Sequence, residues 1–421
     1  MPQNNPISQT RNTCCCITGG GPAGMILGFL LARAGVEVVV LEKHADFLRD
    51  FRGDTIHPST LELMYELGLL EEFLQRPHQE LTEIAAEIED FKVTVADFSH
   101  LPTHCKFTAL MPQWDFLNFI AEKGKLYPQF HLRMESEVTD LLEENGRVVG
   151  VRAKTPQGPL EVRADLTVGA DGRHSTIRQR AGFEILDLGA PIDVLWMRLT
   201  RQPGDPNQTL GRFRAGSVLV MLDRGDYWQC AFVIRKGGFD AIQQRGLPSF
   251  REEIARVASF PRGRMDEIKD WSDIKLLTVA VDRLRQWSRT GLLCIGDSAH
   301  AMSPLGGVGI NLAIQDAVAA ANILATPLLH NAVNDRQLRQ VQRRRTYPTR
   351  MTQAAQVFAH KRFLGPALSD TTPLHRLPLP LRLLQMFPVL RRIPARLIGV
   401  GLRPEHVRTP DTKLQSATTG H

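Results

Sequence analysis

No stretch of this chain approaches the roughly eighteen uninterrupted apolar residues of a membrane span. The first dozen residues are polar, carry Pro2 and Pro6, and lack the apolar core of a secretion signal. Metal-ligand spacing of His and Cys is missing, so no metal is expected. No basic run is interleaved with aromatics, which argues against nucleic acid as a partner. Cysteine is sparse, with six in 421 residues. Cys14, Cys15 and Cys16 are adjacent on a predicted strand, where neighbours point to opposite faces and cannot easily pair. Cys105, Cys230 and Cys294 stand singly in apolar surroundings. Buried thiols in a reducing compartment follow, and the chain reads as soluble and cytoplasmic. Internal repeats and long low-complexity segments are also missing. What remains is globular: length for two or three cores, 43% hydrophobic residues, and a net charge of +6 that suits anionic ligands or an anionic membrane surface without demanding either.

The most informative stretch is 14–42. Residues 14–17 read as a buried strand, 25–34 as a helix and 36–41 as a second strand, with the glycine turn Gly19-Gly20-Gly21-Pro22-Ala23-Gly24 between the first strand and the helix. In G-x-G-x-x-G the first glycine makes the turn, the second lets backbone approach a pyrophosphate, and the third lets helix pack on strand. The exposed N–H groups and positive dipole end of the helix attract the phosphates. Glu42, followed by Lys43, ends the second strand about twenty residues on, where a carboxylate accepts hydrogen bonds from an adenosine ribose. No basic residue replaces it, so a ribose 2′-phosphate is not expected.

Farther along, Arg52 falls on a loop near the strand ends, either as a ligand contact or as a solvated arginine. Pro58 opens a helix to residue 67, and Gln113 opens another to 127. A meander over 137–142, 148–153, 160–163 and 166–168 delivers a short strand to Gly169-Ala170-Asp171-Gly172-Arg173-His174-Ser175. Asp171 either contacts a ligand or, like Ser175, caps the helix 176–181. Residues 185–284 read as a second domain on an antiparallel sheet. Its Trp196, Phe213, Tyr227 and Trp228 are either sheet core or the wall of a site for a flat apolar guest. A strand at 291–295 then leads through Gly296, Asp297 and His300 to Pro304, Gly307, Gly309, Ile310 and Asn311, and into a helix over 312–329. Asp297 is placed to bind sugar-like hydroxyls. Two glycine loops about 270 residues apart suit one long, extended cofactor. Arg343, Arg344 and Arg345 read as a solvated helix face. The tail over 371–404 mixes Pro, Leu and Arg, and either lies on an anionic membrane or packs on the first domain, the latter being expected.

Together these three motifs resemble the class A flavin monooxygenases, the family of p-hydroxybenzoate hydroxylase. The resemblance implies an α/β fold: a discontinuous Rossmann-like FAD-binding domain (1–80, 111–184, 285–330), an antiparallel-sheet substrate domain (81–110, 185–284) and a C-terminal helical region (331–421). It also implies FAD, with its pyrophosphate at Gly19, Gly21, Pro22, Ala23 and Gly24, its adenosine ribose at Glu42 and Lys43, and its ribityl chain at Asp297. Arg52 and Gln113 match positions near the flavin, and Asp171 and Gly172 a motif associated with both FAD and nicotinamide. Gly296, Pro304, Gly307, Gly309, Ile310 and Asn311 complete the site, with Arg52 and Pro304 positioning the flavin. NADPH or NADH would visit transiently as reductant. Molecular oxygen would then give a flavin C4a-hydroperoxide, which attacks an aromatic or similarly electron-rich apolar substrate. No acid or base is assigned, although His57, Asp54 and His300 could move a phenolic proton. A flavin-dependent reductase of an unsaturated lipophilic compound and a non-catalytic FAD-containing sequestering protein are the alternatives. A flavin halogenase fits less well, because the stretch from Tyr227 to Phe232 lacks that group's Trp-x-Trp-x-Ile-Pro signature.

Overall fold

The computed structural model describes residues 9–48, 55–205, 210–369 and 376–413, so Arg52 and Asp54 lie outside the described residues. Two sheets organise the chain. In the first, Gln9–Thr18 pairs in parallel with Val38–Leu41 on one side and with Gly158–Gly169 on the other. Phe130–Arg133 extends it beyond Val38–Leu41, and Leu292–Cys294 beyond Gly158–Gly169. The two short strands predicted at 160–163 and 166–168 are one. Its first half also pairs antiparallel with Arg147–Thr155, and its parallel pairing with Gln9–Thr18 resumes on the far side of the polar Asp165, which keeps the strand continuous. Parallel strands buried on both faces should be apolar throughout, as Val38–Leu41 is. Pro22–Arg33 packs against Val308–Leu329 and Gln113–Gly124 on this sheet. Gly28 permits that approach, since a Cβ there would come within 2.7 Å of Val40 and 3.0 Å of Phe130. Val308–Leu329 starts four residues earlier than the sequence predicts. By length and composition it is apolar enough to cross a membrane, but its side chains from Ile310 to Leu328 fill the core.

The second sheet has seven strands in the order Lys275–Leu277, Ile192–Thr200, Tyr227–Arg235, Ser217–Asp223, Leu210–Arg214, Glu83–Ile88 and Phe91–Asp97. Side chains alternate between its faces. Leu195, Met197, Leu199, Leu219, Met221, Trp228, Cys230 and Phe232 lie on one face, under the helix Leu247–Ala258. Val194, Trp196, Val218, Val220, Ala231 and Val233 lie on the other, which Leu364 and Leu368 partly cover. Trp228 is therefore corrected: it is fully buried beneath the helical layer, with its indole N–H donating to Asp205 at 2.8 Å, and cannot line a ligand site on the opposite face. Trp196, Phe213 and Tyr227 do belong to the second face.

Two other placements differ from the sequence reading. Thr108–Leu110 does not join the seven-stranded sheet; it pairs with Thr55–Ile56 and Gln79–Leu81 in a small separate sheet. The tail helices Leu379–Met386 and Arg392–Gly399 pack mainly on the edge strand Phe91–Asp97 of the second sheet, where the first domain had been expected. Apolar positions at Leu377, Leu381 and Ala395 meet the apolar residues of that strand and its neighbours, whereas the first domain is met by the Ile398 carbonyl, which bonds His57, and by 405–413. Trp228→Ala should cost about 3–5 kcal/mol in urea unfolding through the cavity it leaves, with the KM for any substrate unchanged. A shifted KM at unchanged stability would return Trp228 to the site.

Candidate active site

The three motifs lie side by side because their strands are in register. Thr18 pairs with Gly169, and Gly169 with Cys294, so each loop starts at the same level on the carboxyl edge of the sheet. Ligands of open α/β sheets bind at this edge. Gly19 has φ +100°, and a Cβ there would collide with the Ala170 carbonyl; a Cβ on Gly24 would collide with the Gly19 carbonyl. Turn and packing account for both. Gly21 is different, with φ −74° and no atom within 4 Å of its Cβ position. Neither strain nor crowding demands glycine there, and the open space lies at the start of Pro22–Arg33, which no side chain caps. Ala23 is buried 3.1 Å from the Cβ position of Gly296, locking the first loop to the third. The Glu42 carboxylate accepts from the Gly20 N–H at 2.8 Å and the His44 N–H at 3.1 Å, and contacts the His44 ring at 2.5 Å. Lys43 is exposed, and Gln113 is half-buried in the first turn of its helix.

In the second loop Ser175 caps the helix Thr176–Arg180, accepting from the Arg178 N–H at 2.9 Å, and Asp171 supports that cap. Its carboxylate accepts from Ser175 Oγ at 2.5 Å and the Ile177 N–H at 3.1 Å; burial pushes its pKa up, against those hydrogen bonds. The residue that reaches across is Arg173, which donates to Asp297 at 3.0 Å and to the Met302 carbonyl at 3.1 Å. Its remaining nitrogen, Nη1, is buried with no protein partner. Gly172 supplies the turn at φ +83°. In the third loop Gly306 and Gly307 have φ +79° and +63°, and a Cβ on Gly307 would run into Thr55. No side chain caps Val308–Leu329 either. Asn311 is a joint: its oxygen accepts from the His57 N–H at 2.9 Å and Thr60 Oγ1 at 2.7 Å, and its amide donates to the Thr55 carbonyl at 2.9 Å. Pro304 precedes the loop's 3-10 turn, and Ile310 is buried beside it in the core.

Behind these loops lies a charge network that the sequence reading did not include. Asp316, fully buried, accepts from the Gly296 N–H at 3.0 Å and from Arg345 Nε at 2.9 Å, and meets His300 Nε2 at 2.5 Å. Burial alone would raise its pKa, but His300 and Arg345 more than offset that and hold the carboxyl below its usual range. Arg345 also reaches Glu405 at 3.3 Å, and Arg344 binds the same carboxylate through two nitrogens. The arginine triplet is thus not a solvated face: the helical turn leaves Arg343 exposed and drives Arg345 to 1% exposure. His360, on a single π turn, bonds Ser303 at 2.8 Å beside Pro304. Neither candidate proton carrier among the described residues is free. His300 is held by Asp316, and His57 Nδ1 lies 2.7 Å from the Ile398 carbonyl, with burial pushing its pKa down to about 4.

The open space at Gly21, the two uncapped helix starts and the unpartnered Arg173 N–H beside Asp297 fit an elongated ligand bearing a pyrophosphate and hydroxyls, as FAD does. A family of FAD-binding domains matches residues 12–355. The chain belongs to this family. It is 35% identical over 368 residues, 86% of each chain, to 6-methylpretetramide 4-monooxygenase of Streptomyces rimosus. It is 25% identical to para-nitrophenol 4-monooxygenase of Pseudomonas sp. (strain WBC-3), over 75% of this chain and 78% of that one. The crystal structure of p-nitrophenol 4-monooxygenase PnpA from Pseudomonas putida DLL-E4 shares its fold, with a TM-score of 0.71 at 20% identity, covering 93% of this chain and 99% of that one. The protein is an FAD-dependent monooxygenase of the class A type.

In this monooxygenase Gly21→Val should abolish FAD retention, and Asp297→Ala should lower it, measured as bound flavin per protein after gel filtration; full flavin content in both variants would reject the site. His57 adds a pH signature. Between its ordinary pKa of 6.5 and its folded value of about 4, the unfolded chain takes up a proton that the folded chain refuses, so stability falls as pH falls through that window. Linkage sets the loss on the order of 3 kcal/mol. Urea midpoints at about pH 7 and pH 4.5 should show it, and His57→Gln should flatten it.

Proposed function

We propose that this FAD-dependent monooxygenase hydroxylates an aromatic, largely apolar small molecule held between the third glycine loop and the partly covered face of the seven-stranded sheet. The observation that carries this reading is the short span between the two. His360 bonds Ser303 at the loop, and four residues later Leu364 packs on the sheet face that bears Val194, Trp196, Val218 and Ala231. One turn of helix separates the flavin loop from that wall. Trp196 and Phe213 give the wall flat, apolar surface, and Arg198 stacks on Tyr227 at 3.8 Å on the same face. The names of the two curated relatives, which act on 6-methylpretetramide and para-nitrophenol, agree with an aromatic guest.

Bound FAD, once reduced by NADPH or NADH and exposed to molecular oxygen, supplies an electrophilic oxygen atom. This chain's own residues bind and orient. Gly21 and the start of Pro22–Arg33 hold the pyrophosphate, Glu42 the ribose, and Asp297 with Arg173 the ribityl chain. Pro304 and the loop behind it keep water from the reacting face. No side chain is assigned as acid or base: His57 stays neutral against a carbonyl, and His300 is tied to Asp316. Cytoplasmic placement agrees with six unpaired cysteines. Purified protein should oxidise NADPH slowly and release hydrogen peroxide without substrate. With substrate, labelled oxygen gas should mark the product and labelled water should not. Product labelled only from water, or reduced without gain of oxygen, would sink this reading in favour of a hydrolytic or reductive one.

A further inference from the structure

Exposed apolar side chains collect on the tail. Leu379, Leu383, Met386, Phe387, Val389, Ile393 and Leu397 are each 37–65% exposed, on helices whose other side is occupied in packing Leu381 and Ala395 against the second sheet. Most isolated exposed apolar residues mean nothing, but seven within nineteen positions form a patch. Charge around the patch is one-sided. Within 376–404 fall six basic residues and no acidic one. Arg382, Arg392 and Arg396 are exposed beside the patch, and none pairs with an acid among the described residues.

We propose that this patch docks on an anionic lipid bilayer, with the seven apolar side chains entering the interface and Arg382, Arg392 and Arg396 lying at the level of the lipid phosphates. An amphipathic surface of low net hydrophobicity rimmed by arginine has the chemistry of an interfacial contact, because arginine stems cover apolar surface while their guanidinium groups remain hydrated. A neutral protein partner would leave the surplus of positive charge unmatched; phospholipid phosphates match it. The helices are too short and too interrupted by Pro380, Pro388 and Pro394 to cross a bilayer, so the contact is peripheral. Next to the exposed Leu397, the Ile398 carbonyl of the same tail bonds His57, whose N–H is held by Asn311 of the third glycine loop. This inference does not depend on the substrate proposed above.

The flavin-loaded protein should co-sediment with vesicles containing phosphatidylglycerol and not with pure phosphatidylcholine, and salt should weaken the binding. Replacing the three arginines together (R382Q/R392Q/R396Q) should lower affinity on the order of 100-fold. F387S/I393S should lower it independently, with bound flavin reporting that both variants remain folded. Failure to bind phosphatidylglycerol vesicles, or equal binding by the variants, overturns the proposal. So does a concentration-dependent dimer in sedimentation velocity that F387S/I393S dissolves while leaving vesicle binding intact, because the patch would then be covered by a second copy of the chain.

Discussion

The parallel, in-register pairing of Gln9–Thr18, Gly158–Gly169 and Leu292–Cys294 is the constraint from which the rest of the molecule follows. Residues far apart in the chain supply three loops, and each is useful only if it leaves the sheet level with its neighbours. Backbone hydrogen bonds set that level: the Ala170 N–H donates to the Thr18 carbonyl, and the Ile295 N–H to the Gly169 carbonyl. A slip of one residue in either pairing would carry one loop out of level with its neighbours and turn its first side chains to the other face of the sheet. The excursion into the second sheet is tolerated because its ends return to adjacent strands.

A second tie acts from behind. Asp316, on the helix that begins at the third glycine loop, gathers the Gly296 N–H, His300 and Arg345, and Arg345 continues to Glu405. Breaking such a buried set by removing one partner typically costs about 3–5 kcal/mol, because the remaining charge is left unpaired away from water. The network therefore fixes the loop that carries Asp297 against both the long C-terminal helix and the chain's last described segment. It explains why a flexible glycine loop can hold a defined shape before any ligand arrives.

Across the second sheet the two faces have different tasks. One is sealed by a helix and rests on Trp228; the other is only partly covered and carries Trp196 and Phe213. From sequence the four aromatics looked alike. Their faces are decided by pairing, in which Trp228 opposes Leu199 while Trp196 opposes Ala231, and no local pattern reveals which strand lies opposite which. The same holds for Arg343 and Arg345, two positions apart, where only the direction of the neighbouring helix makes one solvated and the other buried.

The sequence by itself determined the local chemistry: the glycine turn, the terminal acid Glu42, the caps around Asp171 and Ser175, and the second glycine loop. Each depends on residues within a few positions, and φ/ψ preference and hydrogen-bonding type act at that range. It also determined the family, since three such motifs in order are specific together. Only the tertiary structure decided that Arg173, not Asp171, reaches Asp297, that Gly21 alone among the first loop's three fingerprint glycines faces open space, and that the tail lies on the second sheet. It also showed that Asn311 and His57 are consumed in joints. Those outcomes depend on which surfaces meet across hundreds of residues, and burial, register and ion pairing are properties of the meeting rather than of either side alone.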